Sequence, residues 1–160
     1  MKKITIFVFS LLLFTLFSGR ATFAQSAEFK PSYQINKAKA TIHYFFSNFE
    51  KNPRLAKGII AMLSEGGFEL IYPWGDYKTK KDVDNWIKDI PDEFHDSHHI
   101  QGIKVEIIDD LSVTATADVI WQNSGPDNSH DRDHFSYVFE LVDEGIGLLK
   151  IKSINCYRID

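Results

Sequence analysis

Apolar residues recur along this chain in two rhythms, and the change between them divides it. From Ile35 to Ile90 they fall mostly in steps of three and four; from Ile103 onward they alternate. In the first part Ile35, Ala38, Ile42, Phe45, Phe46 and Phe49 form one helical stripe, and Asn52-Pro53 predicts its end. A second helix is expected from about Arg54 to Ser64, carrying Leu55, Ile59, Ile60, Met62 and Leu63 and stopped by Gly66-Gly67. Phe68 to Tyr72 reads as a short strand and Pro73 to Asp76 as a turn. A third helix starts at Thr79, which caps it, with Asp82 three residues on. It turns Val83, Trp86, Ile87 and Ile90 inward and is limited by Pro91.

Four strand-length runs follow, at about 98–108, 112–122, 133–142 and 148–159. Ile103, Val105 and Ile107 share a face in the first. Val113, Ala115, Ala117, Val119 and Trp121 share one in the second, and Phe135, Tyr137, Phe139 and Leu141 in the third. The last run begins with Leu149 and Ile151 on one face. It then breaks, with Ser153, Asn155 and Tyr157 continuing the Ile151 face and Ile154 and Cys156 on the other, which predicts a bulge or a passage from core to pocket. With no helix between them, these runs predict an antiparallel meander, and the chain an α+β fold with helices packed on one curved sheet. The meander brings His98 and His99, the 123–133 loop and residues 157–160 to one end of the sheet.

Ahead of these elements lies an export leader: Lys2 and Lys3, an apolar run from Ile4 to Phe17, and a small-residue end at Thr22-Phe23-Ala24. The run is short for a bilayer span, which needs about 20 residues. Cleavage after Ala24 is therefore expected, leaving residues 25–160 as a single domain outside the cytoplasm, periplasmic or secreted, with no membrane partner. The whole chain has 18 basic and 22 acidic residues; losing Lys2, Lys3 and Arg20 leaves 15 against 22, a net charge of −7. That balance argues against nucleic acid as a partner. The only cysteine, Cys156, excludes an internal disulfide and reads as a buried thiol in a strand.

The order Phe68-Glu69-Leu70-Ile71-Tyr72-Pro73, a turn, and a helix over 79–90 resembles the nuclear-transport-factor-2-like superfamily, nearest its SnoaL-like group. So does His98-His99-Ile100-Gln101-Gly102-Ile103-Lys104-Val105-Glu106, which resembles the group's frequent strand opening. The group usually has Asn where this chain has Gly102, and often Gly where it has Lys78-Thr79-Lys80. The resemblance spans about residues 32–159 and is specific for fold more than for activity. It implies a cone: three N-terminal helices closing over a strongly curved, mixed but mainly antiparallel sheet, a pocket between them, and often a homodimer through the outer sheet face. It implies no cofactor.

In such a cone Tyr44 or Phe45, Tyr72, Trp74 and Trp86 are expected in the wall, with Trp121, Phe135, Tyr137 and Tyr157 from the sheet. The plainer reading is that these aromatics fill a core. His98 matches the superfamily histidine that points into the pocket in several members, where an imidazole can act as acid or base. Its expected carboxylate partner is Asp133, at the same sheet end, with Tyr137 and Asn155 to polarise a carbonyl oxygen. The alternative for His98 is a strand-end surface residue. Asp118 falls on the face of Thr114 and Thr116, away from the pocket, and is left out of the catalytic set. The two clusters His95 to His99 and His130 to His134 offer metal-ligating atoms but match no metal motif, and no metal is assigned. Three readings result: a small-apolar-ligand or partner-binding module, a cofactor-independent lyase or isomerase using His98, and a metal-binding protein.

Overall fold

In the computed structural model, which describes residues 31–159 apart from 52, 126, 128 and 146, the two rhythms become three helices and one sheet. The expected leader, residues 1–24, lies outside the described residues. Helices α1 (Pro31–Phe49) and α2 (Ala56–Ile60) precede a hairpin of β1 (Glu69–Tyr72) and β2 (Gly75–Tyr77). Helix α3 (Lys80–Asp89) leads into the long strands β3 (His95–Ile107), β4 (Ser112–Ser124), β5 (His130–Val142) and β6 (Lys150–Arg158). The sheet order is β2-β1-β6-β5-β4-β3, with β1 parallel to β6 and the other neighbours antiparallel. This is the mixed, mainly antiparallel α+β arrangement that the patterning predicts.

The differences are local and have backbone causes. The second helix stops at Ile60 rather than Ser64 because the following residues join the sheet. Ser64 N–H donates to the Ile151 carbonyl at 2.9 Å, and Ile151 N–H donates to Met62 O at 2.8 Å. The expected turn over 73–76 shrinks to Pro73-Trp74, since Gly75 and Asp76 already pair with Tyr72 and Ile71. Helix α3 begins where expected. Thr79 Oγ1 accepts the Asp82 N–H at 3.1 Å, and the Asp82 carboxylate accepts the Thr79 N–H at 2.9 Å. The meander places His95 opposite Ser124 and Ser124 opposite His130, so residues expected in a loop extend the ladders instead.

Two bulges set which side chains face inward. In β3, Ile100 pairs with Val119 and Gly102 with Asp118, leaving Gln101 extra. Ahead of it the even residues Asp96, His98 and Ile100 face the core side; beyond it the odd residues Ile103, Val105 and Ile107 do. In β6, Lys152 is extra between Ile151 opposite Leu141 and Ser153 opposite Glu140. The pattern break in the last strand is thus a bulge, and it turns Ile154 and Cys156 inward and Asn155 and Tyr157 outward.

Helix α1 lies over β3 and β4, where Val113, Ala115, Ala117 and Val119 are buried beneath it. The short Ala115 and Ala117 side chains leave room for the helix aromatics. Phe45 is fully buried, its ring edge-on to Phe46, Phe49 and Phe139 at 5.5, 5.1 and 5.8 Å. The N-terminal half of α1 is fixed by polar contacts instead. Lys37 Nζ pairs with Asp143 at 2.6 Å, Gln34 donates to the Asp110 carbonyl, and Thr41 Oγ1 accepts the Leu149 N–H at 3.0 Å. Phe45→Ala should cost about 3–5 kcal/mol of stability in urea unfolding, because the rings around it cannot collapse into the void. A loss below about 1 kcal/mol would contradict this packing.

Candidate functional site

A cavity of about 360 Å³ opens over the C-terminal half of α1. Phe45, Phe46 and Phe49 of that helix form one wall, and Tyr72 and Trp74 of the hairpin another. Trp86, Ile90 and Phe94 close it from α3 and the segment after it. The sheet contributes Asp96, His98, Trp121, Asn123 and Tyr137. The size suits a small organic molecule. The rings hold one another: Trp86 stacks on Tyr77 at 4.5 Å and 15° and touches Tyr72 at 5.0 Å, and Tyr137 meets Phe46 edge-on at 5.0 Å.

The β3 bulge places His98 in this wall. Its side chain is 7% exposed and stacks on Phe46 at 4.8 Å and 27°. Its partner is not Asp133 but Glu50, the residue just past α1. Glu50 Oε1 accepts the His98 backbone N–H at 2.6 Å and lies 3.4 Å from Nδ1, at the edge of hydrogen-bonding reach. The His98 side chain beside it holds the Glu50 carboxyl below its usual value of 4.5, against a smaller upward push from burial. A depressed folded pKa means that the contact is fully present above pH 4.5 and is lost as pH falls through the lower folded value. Sequence spacing missed this pair because Glu50 and His98 are 48 positions apart.

A second polar unit sits at the cavity rim. Arg54 and Asp96, with side chains only 6% and 9% exposed, pair at 2.6 Å. Arg54 also donates to the Phe94 carbonyl at 2.7 Å, and Asn123 Nδ2 donates to the other Asp96 oxygen at 2.8 Å. The carboxylate is thereby neutralised and the 91–96 segment held against α2. No motif in the sequence announces this unit; Arg54 reads there only as a helix start.

Burial pushes the Tyr72 and Tyr137 phenols far up, so both remain protonated hydrogen-bond donors. The Tyr72 hydroxyl is buried with no partner among the described residues. Burial likewise pushes the Cys156 thiol up to about 12. The remaining expected site residues separate. Asp133 pairs with Arg158 in a neighbouring groove, and Phe135 is buried beneath that groove. Asn155 and Tyr157, the latter 48% exposed, are turned to the outer face by the β6 bulge and do not meet His98. Tyr44 is 44% exposed and lies off the apolar stripe of α1, so Phe45 takes the wall position. Asp118 pairs with His134 on the outer sheet face. Among the described residues no three His, Cys, Asp or Glu side chains converge on a metal position. Strand alternation sends His98 inward and His99 outward to Gln122.

No family model matches the chain, and no curated protein matches it in sequence. Solved structures do match it in fold. A Novosphingobium aromaticivorans protein named provisionally for scytalone dehydratase is 14% identical, with a TM-score of 0.71 over 80% of this chain and 85% of its own. A Streptomyces avermitilis protein, named provisionally as a dehydratase of the NTF2-like family, is 10% identical, with a TM-score of 0.71 over 81% and 99%. Hexachlorocyclohexane dehydrochlorinase LinA-type3 of Novosphingobium barchaimii is 14% identical, with a TM-score of 0.61 over 79% and 90%. At these identities the likeness establishes the fold: the chain has the cone architecture of the nuclear-transport-factor-2-like superfamily.

Two measurements check the site's construction. Arg54→Ala should destabilise the protein by about 3 kcal/mol or more in urea unfolding, because Asp96 is left charged and buried. Adding Asp96→Asn should recover a good part of that loss, and no recovery would mean that the pair is not coupled. Cys156 should resist alkylation by iodoacetamide at pH 8 in the folded protein and react readily in urea. Equal rates in both states would contradict its buried, neutral setting.

Proposed function

We propose that this protein binds a small, largely apolar molecule in the aromatic cavity. The observation that carries the reading is the wall itself: aromatic rings from helices, hairpin and sheet, with one imidazole among them, Asp96 neutralised by Arg54, and the exposed Asp89 as the remaining carboxylate of the lining. Apolar surface supplies the affinity, and His98 and the unpartnered Tyr72 hydroxyl are the polar groups that can orient a ligand. The leader of residues 1–24 supports a place outside the cytoplasm. The outer sheet face, with Thr114, Thr116 and the Asp118–His134 pair, is the proposed surface for a homodimer.

Calorimetric titration with 1-tetralone, a neutral bicyclic ketone, tests the cavity. Saturable one-to-one binding is expected, with a negative heat-capacity change from apolar burial. Phe46→Trp, which fills the space, should weaken it by at least about tenfold, or 1.4 kcal/mol. Absence of saturable binding to this ketone and to bicyclic hydrocarbons of its size would overturn the reading.

A second reading has its own support in the His98–Glu50 contact. A carboxylate beside an imidazole in a largely aromatic cavity can steady the imidazolium formed when the ring takes a proton from carbon. For a β-hydroxy ketone, the C–H bond beside the carbonyl would break to His98 and its electrons would form the double bond. Hydroxide would leave with the C–O electrons and return as water on taking the proton back. The solved proteins of like fold named for a dehydratase and a dehydrochlorinase lend this eliminating chemistry further weight. With 3-hydroxy-1-tetralone, His98→Gln should keep ligand affinity and lose about 10²–10⁴-fold in rate. A rate equal to the parent protein's would remove His98 from the chemistry.

A further inference from the structure

We propose that the groove beside the cavity receives a positively charged head group, so that the natural ligand is a cationic amphiphile: an apolar ring or chain in the cavity and an ammonium in the groove. This rests on the reading of the cavity as a small-molecule site. The groove measures about 400 Å³, and Trp74 and Trp121 line both it and the cavity. The two compartments are thus neighbours that meet at these two indoles.

The groove differs from the cavity in chemistry. It holds two carboxylates, Asp131 and Asp133, and one guanidinium, Arg158. Arg158 is already paired with Asp133. Asp131 makes no ion pair or hydrogen bond with the described residues and is exposed, so the groove keeps one uncompensated negative charge. An anionic group entering it would meet that charge with no free cation to answer it. Its boundary is partly aromatic. Trp74 and Trp121 stand edge-on to the buried Phe135 at 5.9 and 6.4 Å, with interplanar angles of 84° and 69°. Trp74 is 53% exposed although it is a large apolar residue at the tip of a two-residue turn. The indole stacks on Tyr72 at 5.1 Å and 25°. Rings set at such angles beside an unpaired carboxylate are what ammonium recognition requires: a quadrupole attraction at each ring face and a counter-charge at the rim.

The test is a matched series with one hydrophobe and three ends, measured by calorimetry at pH 7 and low salt: (2-naphthylmethyl)trimethylammonium, 2-naphthalenemethanol and 2-naphthoate. The ammonium should bind about tenfold more tightly than the alcohol, the carboxylate more weakly than either. The ammonium-to-alcohol ratio should shrink to within about threefold in Asp131→Asn and at high ionic strength. Equal binding of ammonium and alcohol, or a preference for the carboxylate, overturns the head-group proposal while leaving the cavity reading intact. A 2-naphthyl glucoside binding better than the ammonium overturns it as well, in favour of a hydroxylated head. If none of these molecules binds, the cavity reading fails and this proposal with it.

Discussion

The site depends on one extra residue. Gln101 interrupts the ladder between β3 and β4 and reverses which residues of β3 face inward. Without it, the alternation that buries Val105 and Ile103 would continue to Gln101 and His99, and His98 would stand on the outer face with Lys104. With it, His98 stacks on Phe46 and reaches Glu50, and Asp96 reaches Arg54 and Asn123. Gly102 follows the extra residue, and a side chain there would meet nothing within 4 Å, so space alone does not require the glycine. What matters is the count of residues, since a single backbone insertion moves the side chains of Asp96 and His98 from the outer face to the cavity wall at once.

Inside the cavity, polar groups are treated in two ways. Asp96 is fully answered, by a guanidinium on one oxygen and an amide on the other, so its charge does little to a ligand. His98 is only half answered. Glu50 accepts its backbone N–H, while Nδ1, 3.4 Å from the same carboxylate, is buried with no hydrogen-bond partner among the described residues. In surroundings of low polarity a half-answered group is where an incoming molecule gains most. The contrast separates scaffolding from contact without appeal to any relative.

Much of the architecture was legible in the sequence because alternation and helical spacing are local signals. The α1 stripe, the Thr79–Asp82 capping pair and the four-strand meander needed only neighbouring residues to be seen. The site was legible in part. Tyr72, Trp74, Trp86, Trp121, Tyr137 and His98 do meet in one wall. The partners were not legible, because Glu50 with His98 and Arg54 with Asp96 are contacts over 48 and 42 positions. The β6 bulge shows the limit well. The break after Ile151 is visible in the sequence, yet which residues it turns outward is not, because plain alternation from Ile151 puts Asn155 and Tyr157 on the inner face and the extra Lys152 puts them on the outer one. A pattern reveals that the register shifts before it reveals at which residue.

Helix α1 divides its labour along its length. Its first part is tied by charge and hydrogen bonds to Asp110, Asp143 and Leu149; its last turns pack mainly rings, with buried Asn48 bonded to Met62 Sδ, and face the cavity. Dispersion and hydrophobic contacts tolerate exchange among shapes of similar volume far better than a directed bond tolerates loss of its partner. Anchorage and cavity wall therefore occupy opposite ends of one rod. Such a helix can change the shape of the cavity through positions 46 and 49 while its moorings stay as they are, which makes the cone a scaffold open to divergence.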